Sequence, residues 1–314
     1  MSTKLLCIAL DNFDTIDTSK WSHEITMAEL GVPNLSRNVW KRLHEERHLT
    51  LRPRCTQPNW YGCYREGSAD NYLNPITSSS LSTTGKFSFT YGQVEVRAKM
   101  PAGDWLWPAI WLKPQDNIYG EWPKSGEINI NEARGNRHLT LNGRNIGVEQ
   151  AASTLNWVVN WSQNQFRRTH WELNRTPGFD ADFHVYRLVW TPGFIAFYID
   201  NREIGRVNPP AGGFYELGQL TGPNPWVGGS KMAPFDVDFH LILNLACGGT
   251  NGYFPENARN PGGKPWRNSL LKSSGMVRVN GSPLGARTLP HICRLTTCVS
   301  GRCKCTNRSR VELQ

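Results

Sequence analysis

Gly126-Glu127-Ile128-Asn129-Ile130-Asn131-Glu132 is the stretch on which the reading of the whole chain turns. Polar and apolar residues alternate in it, the period of a half-buried β-strand. Side chains two apart share a face, so Glu127 and Asn129 point one way and Glu132, five residues after Glu127, points the other. One β-bulge between them restores the parity and brings both carboxylates to the same face. Four effective steps of ~3.3 Å then separate their Cα atoms by ~13 Å, a gap across which two glutamate side chains can lean together. The plain alternative is a polar strand with two solvated glutamates, since charged side chains are mostly exposed.

The neighbouring sequence favours the paired arrangement. Asp104-Trp105-Leu106-Trp107-Pro108-Ala109-Ile110-Trp111-Leu112 lies just upstream, and Tyr119-Gly120-Glu121-Trp122-Pro123-Lys124-Ser125 runs directly into the glutamates. The chain has 13 tryptophans in 314 residues, and Trp105, Trp107, Trp111 and Trp122 crowd beside the two acids. Aromatic faces next to a carboxylate pair suit sugar rings, whose axial C–H groups offer an apolar surface. Tryptophans are equally at home in a core. Two carboxyls about 5–5.5 Å apart are what a retaining glycosidase needs as nucleophile and acid/base.

Working outward, short alternating runs dominate. Residues 87–89, 94–99, 128–130, 139–141, 186–190, 195–199 and 239–245 read as strands. Turn signals separate them, among them Pro101-Ala102-Gly103-Asp104, Thr191-Pro192-Gly193 and Ala211-Gly212-Gly213. Residues 39–48 are the one short helical candidate. Many short strands without interleaved helices predict an all-β sandwich. No Pro/Gly/Ser linker and no repeat divides the chain. The net charge of +9 is scattered apart from a basic tail, and no nucleic-acid motif accompanies it. No apolar run approaches the ~20 residues of a membrane-spanning helix. Residues 5–10 are apolar after Lys4, which is short for a secretory leader, and a strand entering the fold is the preferred reading. Among the 8 cysteines, Cys293, Cys298, Cys303 and Cys305 crowd the tail in no recognisable zinc spacing. His138, His170, His184 and His240 show no metal-ligand spacing either. No metal or cofactor is expected. Asn34, Asn160, Asn174, Asn280 and Asn307 each begin an N-x-S/T sequon, relevant in a secreted chain.

These motifs, in this order, resemble glycoside hydrolase family 16, in the branch of animal laminarinase-like enzymes and β-1,3-glucan recognition proteins. The matching text includes Tyr61-Gly62-Cys63-Tyr64-Arg65, Tyr91-Gly92-Gln93-Val94-Glu95-Val96-Arg97, the tryptophan and glutamate segments above, Phe183-His184-Val185-Tyr186-Arg187-Leu188-Val189-Trp190, and Leu243-Asn244-Leu245-Ala246-Cys247-Gly248-Gly249-Thr250-Asn251-Gly252. The resemblance covers roughly residues 10–268. It implies a jelly-roll sandwich of two curved antiparallel sheets, concanavalin-like, with a glycan cleft on the concave face. It implies Glu127 as nucleophile and Glu132 as general acid/base. Asn129 stands where the family usually has an aspartate; the amide keeps the size and a hydrogen-bond donor but loses the charge. Trp107, Trp111, Trp122, Asn74, Arg134, Asn156 and Trp157 are the implied sugar contacts, with Asn156 in place of a common histidine and Ser80 in place of a common arginine. Cys55 and Cys63 are the implied disulfide. The implied partner is a β-glucan polysaccharide, and the implied setting is extracellular. The expected product is a monomer that neither spans a membrane nor binds nucleic acid.

Two regions depart from the family. Residues 28–54 lack its usual strands, so an outer strand is missing or replaced. After Pro261-Gly262-Gly263-Lys264-Pro265-Trp266 the likeness stops. The codons for residues 274–285, read one base out of frame, permit the family's Trp-Leu-Pro-Thr-Trp motif. A frameshift near residue 270 is therefore expected, with 269–314 a divergent and poorly ordered tail. Two functions follow from the resemblance: endo-hydrolysis of β-1,3-glucan, weakened by Asn129, or glucan recognition in innate immunity without turnover.

Overall fold

The computed structural model describes residues 17–23, 79–159, 164–249, 251–266 and 268, with short backbone strands at 6–9, 25–27, 33–35 and 311–313. In chain order the strands are β1 (Leu6–Ala9), β2 (Ser22–His23), β3 (Ile25–Met27), β4 (Pro33–Leu35), β5 (Ser79–Ser82), β6 (Gly92–Ala98), β7 (Leu106–Pro114), β8 (Glu127–Ala133) and β9 (Thr140–Leu141). They continue with β10 (Arg144–Asn145), β11 (Gln150–Asn156), β12 (His170–Asn174), β13 (His184–Trp190), β14 (Ile195–Ile199), β15 (Arg202–Val207), β16 (Phe239–Cys247) and β17 (Val311–Leu313). A 3-10 turn at Phe166–Thr169 and one short helix, α1 (Gly213–Leu217), are the helical elements among the described residues.

Two large antiparallel sheets stack face to face. One has the order β1-β17-β6-β13-β14-β15 and the other β12-β11-β8-β7-β16-β5-β2. In β13 buried and half-buried residues alternate strictly, so His184, Tyr186, Leu188 and Trp190 face the core. Ile195, Phe197 and Ile199 of β14 and Val94, Val96 and Ala98 of β6 join them. The seven-stranded sheet answers with Ile110 and Leu112 of β7, Ile128 and Ile130 of β8, Leu155 of β11, and Leu241 and Leu243 of β16. Burying each such large side chain is worth about 1.5–3 kcal/mol, so the core between the sheets supplies most of the fold's stability. The architecture is the all-β jelly roll expected, and the other face of the seven-stranded sheet is left open.

The strands at 94–99, 139–141, 186–190, 195–199 and 239–245 form within two residues of their expected bounds, and the one at 128–130 runs on to Ala133. Residues 87–89 form no strand; Phe89 makes an isolated bridge to Phe239. β7 and β11 do not read as alternating strands, because β7 carries tryptophans on its open face and six of the seven β11 residues are buried. The 39–48 helical candidate, the Cys55–Cys63 pair, Asn74 and residues 269–310 lie outside the described residues. Of the tail, β17 pairs with β6 through Val311 opposite Val94, and with β1 on its other side.

At one end of the sandwich Trp171 of β12 reaches across to β15. A Cβ built on Gly205 would meet the Trp171 ring at 2.1 Å, and that ring packs on Phe197 at 5.6 Å. Glycine here is a packing requirement, not a turn signal. Gly205→Ala is expected to destabilise the fold by about 1–3 kcal/mol through overpacking. Thermal melting of Gly205→Ala, Trp171→Leu and the double variant checks this: the double variant should lose less than the sum of the two singles.

Candidate active site

β8 carries both glutamates and the expected bulge. Against β7, Trp111 pairs with Asn129 and the next residue, Ile110, pairs with Asn131, which leaves Ile130 extra. Against β11 the register also slips, from Thr154–Asn129 to Ala152–Glu132. The Ile130 carbonyl displaced by this kink accepts a hydrogen bond from Ser153 Oγ at 2.6 Å. Ile128 and Ile130 stay in the core, while Glu127, Asn129 and Glu132 share the open face. Gly126 starts the strand at φ +81°, and any Cβ there would meet the Phe235 ring at 2.8 Å. A side chain at this position would push the entry of β8 away from its place.

Glu127 sits in a cradle of N–H donors. Its Oε1 accepts from Asn129 Nδ2 at 2.9 Å and from Asn156 Nδ2 at 2.8 Å. Its Oε2 accepts from Trp122 Nε1 at 3.0 Å. Glu132 Oε1 accepts from Trp107 Nε1 at 3.1 Å. Burial raises both carboxyls above the usual range, because the charged form loses water. For Glu127 the three donors and Lys113 pull in the opposite direction. For Glu132 burial and then repulsion from Glu127 push the carboxyl up to about 7, against Trp107, His170 and Arg134. Three donors favour the anion on Glu127, and one donor beside another carboxylate favours a proton on Glu132. The two acids thus differ in their hydrogen-bond support, three N–H donors on Glu127 and one on Glu132.

The other expected site residues divide. Trp122 is 46% exposed, with its N–H on Glu127 and its ring free above the sheet. Trp111 is half-buried on the open face, its N–H held by Asn244 Oδ1 at 2.6 Å. Trp107 has one ring face covered by Tyr253, stacked at 3.8 Å and 8°. Arg134 lies over the far side of that tyrosine at 4.1 Å and binds the Tyr253 and Ile146 carbonyls and Gln150. Arg134 therefore buttresses Trp107 through Tyr253. Trp157 is the correction. It is fully buried, with its N–H on Thr169 Oγ1 and its ring edge-on to Phe214, because parity puts the neighbour of Asn156 on the core face. Asn136 accepts from Trp105 N–H and donates to Asn260, away from the bulge. Ser80 is buried on β5 opposite Asn244.

Sequence reasoning missed Tyr253, Asn164 and Asn244. Tyr253 had a signal, an aromatic just after the glycine-rich end of the Leu243–Gly252 motif. On β12, two strands from β8, His170 accepts or donates to Thr154 Oγ1 at 2.8 Å and pairs with Glu172 at 3.3 Å. Among the described residues no group of three or more His, Cys, Asp or Glu side chains is placed to hold a metal ion.

The profile of the glycosyl hydrolases family 16 matches residues 64–215. A β-1,3-glucan-binding protein of Penaeus monodon is 42% identical over 82% of this chain and 77% of its own length. The glucan endo-1,3-β-glucosidase A1 of Niallia circulans is 31% identical over 76% of this chain, which spans 33% of that relative. Among solved structures, the laminarinase of Rhodothermus marinus superposes with a TM-score of 0.53 and 26% identity, covering 79% of this chain and 88% of that one.

A carboxyl whose proton affinity rises on folding destabilises the fold once pH exceeds its unfolded value, and the cost is complete above its folded value. For Glu132 that window runs from the ordinary glutamate value of 4.5 to about 7. Glu132→Gln is therefore expected to melt higher than the parent at pH 8, with the difference shrinking toward zero at pH 4.5. Separately, Trp107→Phe removes the donor and should move the Glu132 titration above about 7, as read by 13C NMR of the labelled carboxyl.

Proposed function

Because the chain belongs to glycosyl hydrolases family 16, we propose that it is a retaining endo-hydrolase of β-1,3-glucan. The observation that carries this reading is the unequal support of two glutamates on one face of a bulged strand: three N–H donors on Glu127 and one on Glu132, whose carboxyl burial and the neighbouring Glu127 push up to about 7. The Glu127 carboxylate attacks the anomeric carbon as the bond to the leaving sugar oxygen breaks. Glu132 gives its proton to that oxygen. Glu132, now a carboxylate, takes a proton from water, and the resulting hydroxide displaces Glu127 with net retention. Trp122 and Trp111 offer ring faces to glucose units on the open face. The setting we propose is extracellular, with the polysaccharide as partner, a monomeric state, and a catalytic domain of residues 10–268.

A second reading is glucan recognition with little or no turnover. It is favoured by the amide at 129 and by the likeness to the β-1,3-glucan-binding protein of Penaeus monodon. Asn129 preserves a donor to Glu127 but carries no titratable proton of its own.

Purified protein is expected to release reducing ends from laminarin, with the β-anomer formed first by NMR, and Glu127→Gln should abolish release while glucan binding persists. A folded parent that binds laminarin and releases nothing would establish the recognition reading instead. Restoring the carboxyl with Asn129→Asp is expected to raise kcat more than it changes KM, because position 129 acts on the reacting carboxylates and not on sugar stacking. It should also shift upward the limb of the pH–rate profile set by Glu132. An unchanged profile would show that position 129 is not electrically coupled to the pair.

A further inference from the structure

Asn164 contacts neither glutamate, yet it controls what Glu127 meets. Its Oδ1 accepts from the backbone N–H groups of Trp157 and Phe166, both at 3.2 Å. Two main-chain donors decide which end of this amide is oxygen. The Nδ2 end is thereby aimed at Asn156, and donates to its Oδ1 at 2.8 Å. With that oxygen occupied, Asn156 turns its own Nδ2 to Glu127 Oε1 at 2.8 Å. The polarity of the series runs one way, from main chain to carboxylate. Neither amide can flip alone without setting like ends against each other.

We propose that Asn164 is a positioning residue for Glu127: acting through Asn156, it keeps an amide nitrogen against the carboxylate and so favours its ionised form. A free Asn156 could present either end. It would meet an ionised Glu127 with its nitrogen and a protonated Glu127 with its oxygen, supporting both about equally. Asn164 withdraws the second option. The role matters for catalysis only if Glu127 is the nucleophile, as proposed above, but the relay itself is tested without turnover.

Asn164→Asp keeps both acceptors for the Trp157 and Phe166 N–H groups, so the loop retains its ties, but offers Asn156 a carboxylate oxygen where a donor stood. Asn156 then turns its nitrogen away from Glu127. The substitution also adds a charge, so it is made in the parent and in Asn156→Ala. The readout is 13C NMR titration of glutamate carboxyls, with the Glu127 signal assigned by its loss in Glu127→Gln. Asn164→Asp is expected to raise the Glu127 midpoint by about one pH unit more in the parent than in Asn156→Ala. Neutral Asn164→Ala should raise it by less, in the same direction. Equal shifts in both backgrounds, or no shift in the parent, overturn the relay. If laminarin is hydrolysed, the acid limb of kcat/KM moves with the NMR midpoint. Titrations as expected without any hydrolysis overturn the hydrolytic reading and leave the relay standing.

Discussion

One extra residue in β8 is the constraint on which the site depends. Without the slip at Ile130, strict alternation would send Glu132 into the core beside Ile128, where an unpaired charge is costly enough to be neutralised or to unfold the strand. The slip has its own cost, an unpaired carbonyl, and Ser153 from the neighbouring strand meets it. The sheet continues on both sides of the irregularity, because β7 and β11 each absorb it at a single step. A local fault in pairing is thus held in place by regular strands around it.

The bulge was legible from parity alone: two glutamates an odd number of residues apart can share a face only through an irregularity. The six-stranded sheet was legible because β13 buries one face and alternates strictly. β7 was not, since its tryptophans face outward and its Ile110 and Leu112 face inward, which erases the polar–apolar contrast. Trp157 was misplaced by proximity in sequence to Asn156. The same parity that located the bulge assigns adjacent strand residues to opposite faces, so the information was present and outweighed by the likeness to an aromatic-lined cleft. Asn164 and Asn244 were out of reach, because an amide's importance here lies in which of its ends faces which partner. That is decided by backbone groups and side chains brought together only on folding.

The glutamates also differ in what stands behind them. Glu127 is held by amides and an indole whose own partners are polar. Glu132 is held by Trp107, whose ring is backed by Tyr253 and Arg134. That column rests on a second small core, in which Trp105, Phe254 and Trp266 meet edge-on. Glu132 thus leans on an aromatic wall, and Glu127 on a hydrogen-bonded network.

Trp122 belongs to both the network and the surface. Its N–H is bound to Glu127 while its ring stands exposed. Any ligand that settles on the ring also shields that hydrogen bond from water and strengthens it. By linkage, such a ligand and the proton then compete: occupancy at Trp122 makes Glu127 harder to protonate, and acid that protonates Glu127 weakens the hold on that ligand by the same factor. One indole makes occupancy of the groove and the charge at its floor a single thermodynamic variable.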